Sequence, residues 1–436
     1  MWAELGFRQS PYATDPVPAN EEGESLFVGR GKVAEKLTRR LTSTRKHPTI
    51  EGENGVGKTS LVSIVGYRLY QDFKQGRTSC ALIPLPKPFQ LSAEDKAESL
   101  ERRVLLSVAS ELVKRHDELK QGGVDVPNIS NLEKWLTFPT ITSGGGGGSV
   151  LGFGATATRG TAANTSSGFS EAGFKQIVDD YLRQCFPAPE SGGFICVLDN
   201  LELLETSQAA RTQLESIRDG ILAQHGLRWV LCGARGIVRT SASSPRMEGR
   251  LAEPLDLLPI DDGSISEVIQ RRIQAYQIEG ADVKVPVGPE SFRKLYDILN
   301  RNLRNALAYS EDFSLWVYEE EGAELSSERF AVVFDEWVRA TAARHNDDTS
   351  LGGRAWEVFD RLAGNGGSCS PGDFSEFDFE SSQAMRPHVK NLEEANLVIS
   401  SASEEDKRRK TISLTPRGWL VRYARSGFEL PAASTA

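Results

Sequence analysis

From position 52 to 60 the chain reads Gly52-Glu53-Asn54-Gly55-Val56-Gly57-Lys58-Thr59-Ser60: a glycine, four residues, then Gly-Lys-Thr. This spacing suits a polyphosphate. Glycines let backbone N–H groups curl round phosphate oxygens, Lys58 can reach the β and γ oxygens, and the Thr59 hydroxyl is a natural ligand for Mg²⁺. Asn54, Val56 and Ser60 complete the loop. A carboxylate that could share the metal stands at Asp199, directly after the apolar run Phe194-Ile195-Cys196-Val197-Leu198. Such a run is expected of a strand buried on both faces of a parallel sheet, and ligands gather at the carboxyl ends of those strands.

The elements that must position these groups are legible on either side. Pro48 to Glu51 reads as a short strand entering the loop. Leu61, Val62, Val65 and Leu69 lie at helical spacing after it, so a helix N-terminus would point at the phosphates. Cys80 to Leu85, Arg228 to Ala234 and Pro254 to Pro259 read as further strands. Between them come helices expected at 93–116, with Ser92 and Asp95 in capping-box spacing, at 171–185 and at 209–224. Strands alternating with helices specify an α/β fold, a P-loop nucleotide domain with a mostly parallel sheet over 27–262. A glycine-rich stretch within it, 142–170, reads as an insertion: a flexible linker by its glycine content, or a hairpin that orders on contact.

Before this domain, residues 1–26 read as an extended arm lying on it. After it, 263–343 is all helical, a small lid, and His345 to Ser350 reads as a linker. Residues 351–426 give three helices, two strands around a charged turn and a closing helix opened by Pro416, the order of a winged helix-turn-helix.

Composition narrows the functional class. No apolar run approaches the length needed to cross a bilayer, and the first residues lack a basic-then-apolar signal, so a cytoplasmic protein without a membrane partner is expected. The five cysteines are scattered without metal-ligand spacing and read as buried thiols. The net charge of −9 offers no global attraction to nucleic acid, so DNA binding needs a local patch. One is present: Lys407, Arg408, Arg409 and Lys410 in the wing, with Arg386, His388 and Lys390 on the candidate recognition helix. Glu393, Glu394, Glu404, Glu405 and Asp406 dilute it.

Together these motifs resemble the AAA+/STAND ATPases, in particular origin-recognition-like initiators built as nucleotide domain, helical lid and C-terminal winged helix. The likeness spans about 27–426. It implies that Val28, Gly29 and Arg30 pack near an adenine, and that ATP and Mg²⁺ bind at Gly52 to Ser60 with Asp199. Arg304, in Asn302-Leu303-Arg304-Asn305, would sense the γ-phosphate, and Arg246 or Arg250 would be the arginine finger of a homo-oligomer. The hairpin resembles the MarR-type wing, which implies double-stranded DNA as a partner.

One departure bears on mechanism. Hydrolytic members follow the Walker B Asp with Glu, whereas Asn200 stands here, and Asn cannot accept a proton. Either Glu202 takes the role or hydrolysis is slow and ATP acts as a ligand that holds core and lid closed. The expectation is a slow ATP-dependent switch coupling nucleotide state to oligomerisation and DNA binding. The competing reading is a STAND-type signalling or defence regulator whose winged helix and glycine-rich insertion bind proteins. A metabolic phosphotransferase ranks third, since no convergent acid/base set is evident.

Overall fold

Every strand of the main sheet is parallel, in the order β2 (Ala81–Pro84), β5 (Gly192–Leu198), β6 (Leu227–Gly233), β1 (Thr49–Glu51) and β7 (Leu255–Asp256). In this computed structural model the described residues are 1–42, 46–92, 94–137, 140–142, 161–163, 171–204, 207–234, 236–321, 326–402 and 410–430. The chain begins with α1 (Glu21–Leu26) and α2 (Gly31–Thr42), then enters β1 (Thr49–Glu51), the loop and α3 (Lys58–Lys74). β2 (Ala81–Pro84) leads to α4 (Ala97–Lys114), α5 (His116–Gln121) and α6 (Ser130–Thr137). β3 (Thr140–Thr142) and β4 (Thr161–Ala163) pair antiparallel apart from the main sheet. The rest of the glycine-rich insertion lies outside the described residues. α7 (Glu171–Cys185), β5 (Gly192–Leu198), α8 (Ser207–Ile217), β6 (Leu227–Gly233), α9 (Ile237–Ala242) and β7 (Leu255–Asp256) complete the domain.

Period-two alternation along the central strands builds a core on each face. Phe194, Cys196, Leu198, Trp229 and Leu231 join one buried cluster with α4, α7 and α8. Ile50, Ile195, Val230 and Cys232 join the other, against α2 and α3. A sheet covered this way has no wet face, which is why its strands read as unbroken apolar runs.

The helical unit comprises α10 (Ile265–Tyr276), α11 (Pro289–Ile298), α12 (Leu303–Glu321) and α13 (Ser327–Asp347). It is followed by α14 (Gly353–Gly364), β8 (Ser368–Cys369), a 3₁₀ segment at Pro371–Phe377, α15 (Ser382–Glu394), β9 (Val398–Ala402), β10 (Lys410–Leu414) and α16 (Pro416–Arg425). β8, β10 and β9 form a small antiparallel sheet.

Several boundaries differ from expectation. Ser92 and Asp95 close a local turn, with Ser92 N–H donating to the Asp95 carboxylate at 2.9 Å, and the helix starts later, at Ala97. The helix expected over 209–224 stops at Ile217, and a 3₁₀ turn at Ile221–Ala223 follows. α13 continues through His345 and Asn346, so the expected linker is helical as far as Asp347; its buried Phe334, Val338 and Ala342 keep packing along that face. α13 also packs along α16, and one buried cluster runs from the helical unit through the C-terminal unit.

The N-terminal arm differs most. Its later part lies on the domain that follows, as expected, with Val17 N–H on the Ser60 hydroxyl and Glu24 on Arg68, but its first residues pack into the helical unit instead. Leu5, Phe7 and Tyr12 are buried in that unit's core, Arg8 N–H donates to Tyr276 O at 2.7 Å, and the Tyr12 hydroxyl donates to Val287 O at 2.9 Å. These apolar residues are too widely spaced for a helix or strand signal, and they are buried by partners some 270 positions away in sequence.

Candidate functional site: the phosphate-loop pocket

β1 delivers the chain to the open end of the sheet, and two glycines there adopt left-handed backbone: Gly55 at φ 82° and Gly57 at φ 99°. L side chains avoid this region, so glycine is required for the turn. A Cβ on Gly52 would also fall 2.6 Å from Leu257 O, so the loop's first glycine is set by close approach to the chain after β7. Gly57 caps α3, whose first residue is Lys58. Lys58 is buried and its ammonium donates to Gly52 O at 2.7 Å and to Glu53 O at 3.2 Å, inside the curl of the loop. Thr59 Oγ1 donates to the carboxylate of Asp199, which is only 4% exposed just past β5. The same carboxylate accepts Asn200 N–H at 2.9 Å.

A cavity with about 870 Å³ of empty space, continuous with solvent, opens over this loop. Its walls divide by chemistry. Asn54 to Ser60, Asp199, Asn200 and Arg304 form the polar side, while Phe27, Val28, Ile260, Val268 and Leu307 form an apolar side. The helical unit contributes to both. Asn302 Nδ2 donates to Asn54 O at 2.8 Å, and a Cβ on Gly55 would lie 2.7 Å from Arg304 Cβ. Arg304 is exposed beside the loop.

Other expected site residues have different positions. Arg30 lines the cavity, but its buried guanidinium donates to Val56 O at 2.9 Å and to Leu258 O, bracing the loop from beneath. Burial lowers its pKa to about 10, with Tyr296 and Asp261 opposing. Gly29, at φ 72°, packs against Ser264 and Ile260 and does not line the cavity. Arg246 and Arg250, expected to serve a neighbouring copy's site, do not line this chain's own cavity. Arg246 pairs with Glu215 at 3.4 Å, and Arg250 O accepts His47 N–H at 2.7 Å, at the amino end of β1 and so opposite the loop. Glu202 falls in the 3₁₀ turn Leu201–Leu204, and its side chain is outside the described residues.

On α15, His388 lies against Phe379, with ring centroids 5.4 Å apart. Lys390 pairs with Glu394 at 3.5 Å. Arg386 is exposed beside a cleft lined by Met385, Val389 and Ile412. Lys407, Arg408 and Arg409 lie outside the described residues, and Lys410 opens β10.

Arg272, which lines the cavity, and Glu51, which lies beside the loop, have no motif to announce them. Arg272 is 6% exposed and donates to Ala13 O at 2.7 Å and Pro11 O at 3.3 Å, which carries Thr14 to Val17 along the cavity wall. Val17 N–H then donates to the Ser60 hydroxyl at 3.1 Å. Glu51, buried at the end of β1, accepts the N–H groups of Gly236 at 3.1 Å and Arg239 at 2.5 Å and so fixes the start of α9. A carboxylate closing an apolar strand was the available signal for Glu51. Arg272 offered none.

No protein-family model matches the chain, and no curated protein matches it. Among solved structures it is similar to the Aeropyrum pernix ORC1 protein in complex with DNA, at 16% identity over 97% of each chain and a TM-score of 0.43. It is similar to the ADP form of the Aeropyrum pernix ORC2 protein, at 12% identity over 97% of this chain and 99% of that one, TM-score 0.45. A Walker-type ATPase of Pyrococcus abyssi gives 14% identity over 94% of this chain and 99% of that one, TM-score 0.43.

Proposed function

We propose that the chain is an ATP-binding switch of the AAA+ type, with weak hydrolysis, that couples nucleotide state to self-association and to DNA binding through a C-terminal winged helix. The observation that carries this reading is the Thr59–Asp199 contact beside buried Lys58, beneath a cavity with one polar and one apolar wall. Lys58 and the loop amides suit the phosphates, and the apolar wall suits the base. Thr59 and Asp199 would hold Mg²⁺. Among the described residues no three His, Cys, Asp or Glu side chains gather as a cage, which fits an ion that takes one or two protein ligands and the rest from phosphate and water.

Two features support slow turnover. Asn200 lines the cavity where a general base would be wanted, and the first carboxylate after Asp199 is Glu202. Closure is the output instead, because Asn302 and Arg304 connect the helical unit to the loop. We assign 351–426 to a winged helix, on the order of its helices and the β8-β10-β9 sheet, and place DNA against α15 and the wing. The cleft beside Arg386, apolar at Met385, Val389 and Ile412, favours a second reading in which this surface binds a protein.

The experiment that separates them is duplex DNA binding at several salt concentrations, with ATP or ADP. Nucleotide-dependent binding that weakens with salt, and fails when Lys407, Arg408 and Arg409 become Ala, is the expected result. ATP-dependent assembly without DNA affinity would select the protein-binding reading.

A further inference from the structure

At the amino ends of β5 and β6, on the side of the sheet away from the phosphate loop, lies a second cavity with about 670 Å³ of open space. Lys46, Arg228 and Arg250 line it, and its lining holds no carboxylate. Among the described residues none of these three cations has an ion-pair partner. In a chain with a net charge of −9, a cavity left so uncompensated is unexpected. Glu190 is the acid that acts on Arg228 electrostatically, and it is outside the lining.

Two details indicate a pocket arranged for an anion. Arg228 donates from Nη2 to Pro189 O at 2.6 Å, yet its Nε–H is buried with no acceptor. Buried guanidinium donors are ordinarily satisfied, so this one lacks the oxygen it should face. His47, between the arginines, is held as a neutral imidazole: Nε2 bonds Leu222 O at 2.8 Å, and Nδ1 accepts Trp229 N–H at 3.3 Å. The arginines therefore supply charge while the imidazole adds none to repel them.

We propose that this cavity is an anion site for a phosphate-class ligand, such as inorganic phosphate or pyrophosphate, with Arg228 and Arg250 as its principal donors and Lys46 at its mouth. The site is separate from the phosphate loop and does not depend on the reading of that loop. Arginine suits it because a planar fork of N–H donors matches an oxyanion, and the orphaned Nε–H of Arg228 would then be one arm of a two-point contact.

The test is calorimetric titration of pyrophosphate into the full chain carrying Lys58→Ala, which disables the phosphate loop. If that variant does not fold, the unmodified chain saturated with ADP serves instead. Saturable binding with one ligand per chain is expected, and Arg228→Gln or Arg250→Gln in the same background should weaken it by about tenfold or more. A cooperative thermal unfolding transition close to that of the parent variant verifies that the two substituted chains fold. Absence of pyrophosphate binding once the phosphate loop is disabled or filled would overturn the proposal. So would binding that survives both arginine substitutions in folded protein.

Discussion

Asn200 is held at φ 56°, in the left-handed region that Asn tolerates better than most residues. Its identity therefore has a backbone reason beside the catalytic consequence proposed for it. Asn200→Glu should raise ATP turnover by about tenfold or more if a positioned base is all that is missing. The strain of Glu in this conformation should cost about 1 kcal/mol of stability, so turnover and thermal midpoint are measured together. Unchanged turnover in a folded variant would move attention to Glu202.

His47 gives a prediction in pH. Burial, seconded by Arg228 and Arg250, lowers its pKa from 6.5 to about 4. The unfolded chain thus binds a proton between these values that the folded chain refuses. Stability from this group is complete above pH 6.5 and falls as pH drops towards 4, by on the order of 3 kcal/mol at most. Urea unfolding across that range should show this loss in the unmodified chain and a smaller one in His47→Gln.

At the scale of elements, the phosphate loop was the most legible feature because its requirements are local. Two left-handed glycines, a lysine and a hydroxyl leave a fixed spacing in sequence. The long strands were readable for a similar reason, since burial on both faces turns Phe194 to Leu198 into one apolar run. Element ends were less legible. The stop of α8 at Ile217 and the continuation of α13 to Asp347 depend on tertiary partners, and Arg30 was aligned with a motif whose side chain here braces Val56 and Leu258.

The loop glycines also separate strain from crowding. Gly57→Ala meets open space and pays for backbone alone, about 1–2 kcal/mol. Gly55→Ala meets Arg304 Cβ at 2.7 Å and Asn302 Oδ1 at 2.8 Å as well. It should therefore loosen the contact between helical unit and loop and reduce ATP affinity more than Gly57→Ala, as direct titration of both variants would report. Equal losses would mean that the helical unit does not sense the loop.

Across the whole molecule, the arm joins regions far apart in sequence. Its first residues are buried in the helical unit, Thr14 to Val17 border the cavity, and Glu24 on α1 pairs with Arg68 on α3 at 2.7 Å. Its burial in the helical unit was not legible, because a segment broken by Pro11, Pro16 and Pro18 shows no periodicity when its partners lie so far along the chain. Removing residues 1–13 exposes the pockets of Leu5, Phe7 and Tyr12 and should destabilise the helical unit by roughly 5 kcal/mol or more, seen as a lower thermal midpoint. Because α13 packs along α16, movement of the helical unit over the loop would carry the C-terminal unit with it, and would give nucleotide state a mechanical route to the surface proposed to bind DNA.

The cavity above Lys58 is the proposed nucleotide site. Titration of ATP with Mg²⁺ into the full chain, followed by calorimetry, measures this without assuming turnover. Saturable binding at one nucleotide per chain, lost on Lys58→Ala and weakened on Asp199→Asn only when Mg²⁺ is present, is the predicted result. Nucleotide binding that persists in folded Lys58→Ala protein, or none in the unmodified chain, would contradict it.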